Sequence, residues 1–195
     1  MRALLWSGMG RQVEACASIK KTLFKNMTNF TCWHVQGILL RKDKDYDGAR
    51  RAYLQALKLN AENDSVLRDL CQMQIHLRDY AGFHETRRQV LVKNSGNREN
   101  WTSFALGCYL NCQYDQCINA IDSMIKVNLS EEKNPLTPPQ LMEILTLKVK
   151  SLMAKEQFND ALKLLTDNSK SFVDSLQRHQ LFVDCYTKLG NKEKA

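Results

Sequence analysis

Apolar and small residues return every three or four positions through this chain, as in Tyr46, Ala49, Tyr53 and Ala56, which places them along one face of a helix. No apolar run bounded by turn residues reads as a strand, no alternation of strand and helix patterns appears, and glycine is sparse and mostly near turns. A longer period lies over the short one. Tyr46, Tyr80 and Tyr114 stand 34 residues apart, and so do Trp33, Leu67 and Trp101. Two large side chains sharing one period predict pairs of antiparallel helices, each pair covering the apolar face that its neighbour cannot bury alone.

Counting Phe30 as the first position of a unit, Trp33 is fourth, Gly37 eighth, Ala49 twentieth, Tyr53 twenty-fourth and Ala56 twenty-seventh. This pattern resembles the tetratricopeptide repeat. Small residues at the eighth and twentieth positions let two helices touch, and larger ones fill the space beside them. The expected fold class is therefore all-α, a tetratricopeptide-repeat superhelix or α-α solenoid. Units are expected over 30–63, 64–97 and 98–131, the second with Leu67, Cys71 and Phe83 in place of the tryptophan, glycine and alanine.

All three prolines fall in Glu131-Glu132-Lys133-Asn134-Pro135-Leu136-Thr137-Pro138-Pro139, which predicts a loop before a helix, placed at 132–141. Shifting the register by ten residues restores the pattern over 142–175, with Phe158 at the ring position of Tyr114 and Ala161 at the twentieth position. Residues 1–29 and 176–195 read as partial repeats. Gly10 and Ala15 fit the turn and second helix of the first, and 189–195 fits a turn and helix start, so residues 1–195 read as one array cut from a longer one.

Charge then divides the chain. The net charge is +7, and residues 1–98 hold 17 Lys and Arg against 9 Asp and Glu, whereas 99–195 hold 11 against 12. A basic half fits either a solvated helix surface or a docking face for phosphates or acidic protein, with attraction that salt weakens. Most aromatic rings are committed to repeat positions, which argues against sequence-specific reading of single strands. The segment Met1–Gly8 is too short to act as a signal peptide, and no run approaches the ~20 apolar residues of a membrane span.

Candidate chemistry is thin. Cys108, Cys112 and Cys117 lack the paired spacing of a zinc site and a histidine to complete it, and Cys71, Cys108 and Cys117 fit small inward positions of the register. His76 has Asp79 three residues on but no nucleophile beside it; His84 and His179 have no carboxylate at helical spacing. Phosphate-loop, HExxH and G-x-S-x-G signatures do not occur. Neither catalysis, a cofactor, a metal nor a small-molecule substrate is expected on this chain.

Residues that a helix pair does not itself require carry a closer likeness. Cys32-Trp33-His34-Val35-Gln36-Gly37-Ile38-Leu39-Leu40-Arg41-Lys42-Asp43-Lys44-Asp45-Tyr46-Asp47 resembles the auxiliary subunit of the N-terminal acetyltransferase A complex. So does Leu67-Arg68-Asp69-Leu70, continuing through Gln74-Ile75, Arg78-Asp79, Gly82 and Glu85-Thr86-Arg87. The likeness is strong across about 30–92 and weaker, with the same unit order, to Ala195; it points to the N-terminal half of that subunit. It implies a non-catalytic cytoplasmic scaffold whose partners are a catalytic acetyltransferase subunit and the ribosome, with the basic half facing rRNA. The Pro-rich stretch departs from the family pattern. First-helix positions give His34, Ile38, Arg41, Arg68, Gln72, Leu106 and Tyr109 as candidates lining the concave surface; Lys42, Lys44, Arg50, Arg51, Arg87 and Arg88 are the basic docking candidates. The competing expectation is a peptide-binding co-chaperone adaptor, although the lysine and asparagine clamp for a terminal carboxylate is not evident.

Overall fold

The structure is a computed structural model that describes residues 2–130, 136–172 and 174–190, without the side chains of 127–130 and 170. The described residues are helical throughout, with no strand. The chain divides into two compact units, Met1–Val90 and Leu91–Ala195.

In the first unit the helices are α1 (Arg2–Gly8), α2 (Gln12–Lys25), α3 (Phe30–Lys42), α4 (Tyr46–Leu59), α5 (Asp64–His76) and α6 (Tyr80–Lys93), the last running past the division. Helix starts recur at the period of the sequence. The side chains of Asn29 and Asn63 accept hydrogen bonds from the N–H groups of Cys32 and Val66, each supplying an acceptor to a donor of the first turn. Asp45 and Asp79 do the same for Gly48 and Gly82 at the second helix of each pair. A β-carbon on Gly48 or Gly82 would stand 2.3 or 2.6 Å from that carboxylate, so these glycines make room for the cap.

Helices α3 and α4 meet through Gly37 and Tyr53. A β-carbon at Gly37 would lie 2.4 Å from the Tyr53 ring, which is wholly buried. Around that contact Ala49, Tyr53 and Ala56 of α4 pack with Val66, Leu70 and Met73 of α5, and Trp33, Ile38 and Tyr46 close the sides. Ala3, Ala15, Ile19, Val35 and Leu39 form the corresponding core of α1, α2 and α3.

The second unit contains α7 (Arg98–Leu110), α8 (Tyr114–Ser130), α9 (Pro138–Ala154), α10 (Phe158–Asp167), a 3₁₀ turn (Ser169–Ser171) and α11 (Ser175–Lys188). Ala105, Cys108, Cys117, Ile121, Met124 and Ile144 make one core, and Leu145, Val149, Leu152, Ala161, Leu165 and Cys185 another. Trp33 and Trp101 occupy matching environments: each indole N–H donates to the carbonyl six residues before it, Met27 at 2.8 Å and Ser95 at 2.7 Å.

The Pro-rich stretch needs a correction. Residues 138–141, expected in the loop, belong to α9, because proline is tolerated in the first helical turn where no backbone donor is required. Thr137 and Gln140 complete a reciprocal capping box there. The part of the loop over 132–135 and the helix start expected over 191–195 lie outside the described residues.

One regularity carries almost no sequence signal. Gly10, Lys44, Arg78 and Cys112 have positive φ at intervals of 34, and Glu156 and Gly190 resume the series after the ten-residue shift. Gly10, Lys44, Arg78, Cys112 and Glu156 each sit in the turn between the helices of a pair, and Gly190 follows α11.

Candidate interaction face

The candidate residues of the first unit meet around a carboxylate that is not among them. Asp69, on α5, takes a hydrogen bond from Arg41 Nη1 at 3.0 Å and lies 2.9 Å from His34 Nε2, both from α3. Arg41 Nη1 also donates to Gln72 Oε1 at 2.9 Å. His34 and Asp69 side chains are each 18% exposed, so this pairing is screened less than a surface ion pair. Burial opposes the charge on Asp69, but the His34 hydrogen bond and the Arg41 guanidinium outweigh it and hold the carboxyl below its usual range. His34 also stands edge-on to Tyr53, centroids 5.8 Å apart. Burial and the Asp69 charge push the Tyr53 phenol up, so it stays neutral.

The cluster therefore joins consecutive pairs and presents a polar surface at its rim. Gln72 and Arg68 are exposed, Arg41 is half-buried, and Ile38 is drawn into the neighbouring core. Sequence reasoning passes over Asp69 because its importance depends on α3 and α5 lying side by side; the only sequence hint is a carboxylate 35 residues beyond His34.

Leu106 and Tyr109 belong to the second unit. Leu106 lines a cavity of about 410 Å³ among α7, α8 and α9, with Trp101, Ile121, Met124, Ile144 and Leu147. Tyr109 lies against Tyr114, centroids 5.9 Å apart.

Most basic candidates are engaged within the chain. Lys42 Nζ donates to the carbonyl and, at 3.0 Å, to the hydroxyl of Ser7 on α1. Arg50 bridges Asp47 at 3.0 Å and Asp79 at 3.5 Å, and Arg51 shares Asp47 at 3.3 Å. Arg88 clasps Glu85 at 2.8 Å, holding that carboxyl down at about 2. Arg87 lies over the Phe83 ring. Lys44 and Arg68 are exposed and make no ion pair among the described residues.

His76 stacks face to face on Tyr46 with centroids 4.8 Å apart, while Asp79 caps α6 and pairs with Arg50. Cys71, Cys108, Cys117 and Cys185 are buried. Burial pushes their thiols up, Cys108 to about 12, which keeps them protonated. No helix among the described residues is long and apolar enough to cross a membrane.

Helix pairs at this spacing give this chain a tetratricopeptide-repeat fold, and the family model described as tetratricopeptide repeat matches residues 30–63. Its homologues are auxiliary subunits of an acetyltransferase complex. It is 30% identical over 196 aligned residues to the N-terminal acetyltransferase A complex auxiliary subunit NAA15 of Arabidopsis thaliana, and 29% identical over 200 to N-alpha-acetyltransferase 16, NatA auxiliary subunit, of Mus musculus. Each match covers the whole chain, which spans only 22% of the relative's length. Among solved structures, that of Naa15/Naa10 bound to HypK-THB superimposes with a TM-score of 0.84 at 32% identity, covering 99% of this chain and 29% of the other. The TPR protein YrrB, at 15% identity and a TM-score of 0.66 over 91% of this chain and 87% of its own, shares the fold.

Proposed function

We propose that this chain is a stretch of a non-catalytic scaffold of the N-terminal acetyltransferase A type, supporting acetylation of nascent N-termini in the cytoplasm. Chemistry belongs to a catalytic acetyltransferase subunit that the scaffold binds. The observation carrying this reading is the superposition on the Naa15/Naa10 structure at 32% identity across 99% of the chain. The repeat boundaries read from the sequence, with units at 30–63, 64–97, 98–131 and 142–175, are proposed for the same array.

A ribosome contact through the basic first half is the second element of the proposal. Since Arg50, Arg51 and Arg88 are already paired, Lys44 and Arg68 are the candidates best placed to meet phosphate. A carboxylate-clamp adaptor is less well supported, because Arg41, the central cation of α3, is committed to Asp69 and Gln72. The test is purification of the full-length parent. An acetyltransferase should accompany it, and it should sediment with ribosomes in a salt-sensitive way. A preparation free of acetyltransferase that retains a chaperone C-terminal peptide would replace the scaffold with the adaptor.

A further inference from the structure

Helix α2 shows an outer stripe unlike those of α4 and α8. Its buried face, Ala15, Ile19 and Leu23, packs within the unit. On the opposite side Val13, Ala17, Lys20 and Phe24, continued by Met27 just past the helix end, are all exposed and follow one another at intervals of four and three. That is the spacing of a seam along which one helix packs on another. Val13 is 80% exposed, Phe24 85% and Met27 65%. Every other phenylalanine, tyrosine and tryptophan among the described residues is buried or half-buried.

Stacking of repeats does not account for this exposure. Because α2, α4 and α6 start at Gln12, Tyr46 and Tyr80, positions correspond at intervals of 34. Leu5 of α1 corresponds to Leu39 of α3, which is buried, so exposure of Leu5 belongs to a stacking face. Phe24 corresponds to Lys58, which stays exposed although α5 follows it. The counterparts of Val13, Ala17 and Phe24 are Asp47, Arg51 and Lys58 in α4, and Asp115, Asn119 and Lys126 in α8. In α6 they are Ala81, Glu85 and Val92. Positions that α4 and α8 fill with charged or polar residues are apolar along α2, and α6 shares this only at Ala81 and Val92.

Charge then selects the occupant. Lys20, Lys21 and Lys25 surround Phe24 and make no ion pair among the described residues, whereas Glu14, the sole acid of α2, is held by Arg11 at 3.0 Å. A partner that buries the apolar stripe brings its own flanks against three uncompensated ammonium groups. We propose that this face of α2 docks an acidic amphipathic helix of a partner protein. Apolar residues of that helix pack on Val13, Ala17, Phe24 and Met27, and its Glu or Asp side chains pair with Lys20, Lys21 and Lys25. The His34–Asp69 cluster takes no part, so this interface stands independently of the scaffold reading.

The probe is a fluorescein-labelled synthetic helix of three heptads, with leucine at the seam positions and glutamate flanking them. Its twin carries lysine in place of glutamate. Anisotropy titrations with the full chain should show saturable binding of the glutamate helix, weakened by salt, and none of the twin. F24K should lose at least tenfold in affinity with an unchanged melting temperature, because Lys58 occupies the same place in α4. V13D, which copies the aspartate that α4 carries at Asp47, is the second variant should the first be unstable. Lys20→Glu with Lys21→Glu should transfer preference to the lysine twin. Absence of saturable binding, equal binding of both peptides, or wild-type affinity in folded F24K would overturn the proposal. Phe24-dependent binding of an oligouridylate in place of the peptide would assign the face to single-stranded nucleic acid instead.

Discussion

Two residue-scale contacts separate what a side chain is from what it touches. Gly37 matters because the Tyr53 ring, itself wholly buried, fills the space where a β-carbon would stand. Gly37→Leu is expected to lower stability by about 1–3 kcal/mol or more through overpacking, measured by urea unfolding. An unchanged midpoint would mean that the helices do not meet there. Asp69 is the opposite case, a polar group whose partners come from another helix. Its carboxyl is depressed in the folded chain, so the stabilisation it supplies is complete above its unfolded value of about 3.9 and fades as pH falls through the folded one. Asp69→Asn should cost about 1–3 kcal/mol at pH 7, since it leaves Arg41 half-buried with a weaker partner. The difference from wild type should shrink toward pH 2; a difference independent of pH would show that the carboxylate charge is not the source.

At the scale of elements, caps and turns repeat as faithfully as the helices, but they are not equally readable. Asn29, Asn63 and Asn97 each accept from an N–H in the first turn, a preference that composition alone foretells. Asn63→Ala should cost about 1 kcal/mol. Gly82→Ala should cost a similar amount, because its β-carbon would displace Asp79 from both the cap and Arg50. The left-handed turn residues are hidden by contrast. Gly10 and Gly190 announce themselves, whereas Lys44, Arg78, Cys112 and Glu156 adopt the same conformation despite a β-carbon. Replacing Lys44 by glycine removes that steric cost, offset partly by the entropy of a freer unfolded chain, and should raise stability by about 0.5–1 kcal/mol. A loss on that substitution would indicate that the lysine side chain holds the turn.

For the whole molecule, the basic excess of the first half rests on cations other than the arginines paired within the chain. Arg50, Arg51 and Arg88 spend their charge on Asp47, Asp79 and Glu85, and Lys42 is turned toward Ser7. If the parent meets ribosomal phosphates through this half, Lys44→Glu with Arg68→Glu should weaken sedimentation with ribosomes and flatten its salt dependence. Arg51→Gln with Arg88→Gln should change both far less. Equal effects from the two double variants would place the contact elsewhere.

The order of amino acids by itself determined the helix pairs, their period and the close approach at Gly37, since each depends on spacing along a single chain and on side-chain volume. It also carried the family likeness, through Trp33, His34 and Arg41 among others. Tertiary structure alone decided that Asp69 gathers His34, Arg41 and Gln72, that Arg50 reaches Asp79 on the next helix pair, and that the stripe through Phe24 is left open. Those outcomes depend on which faces lie against each other after packing, and a linear period does not state which polar group will find a partner across the gap between helices.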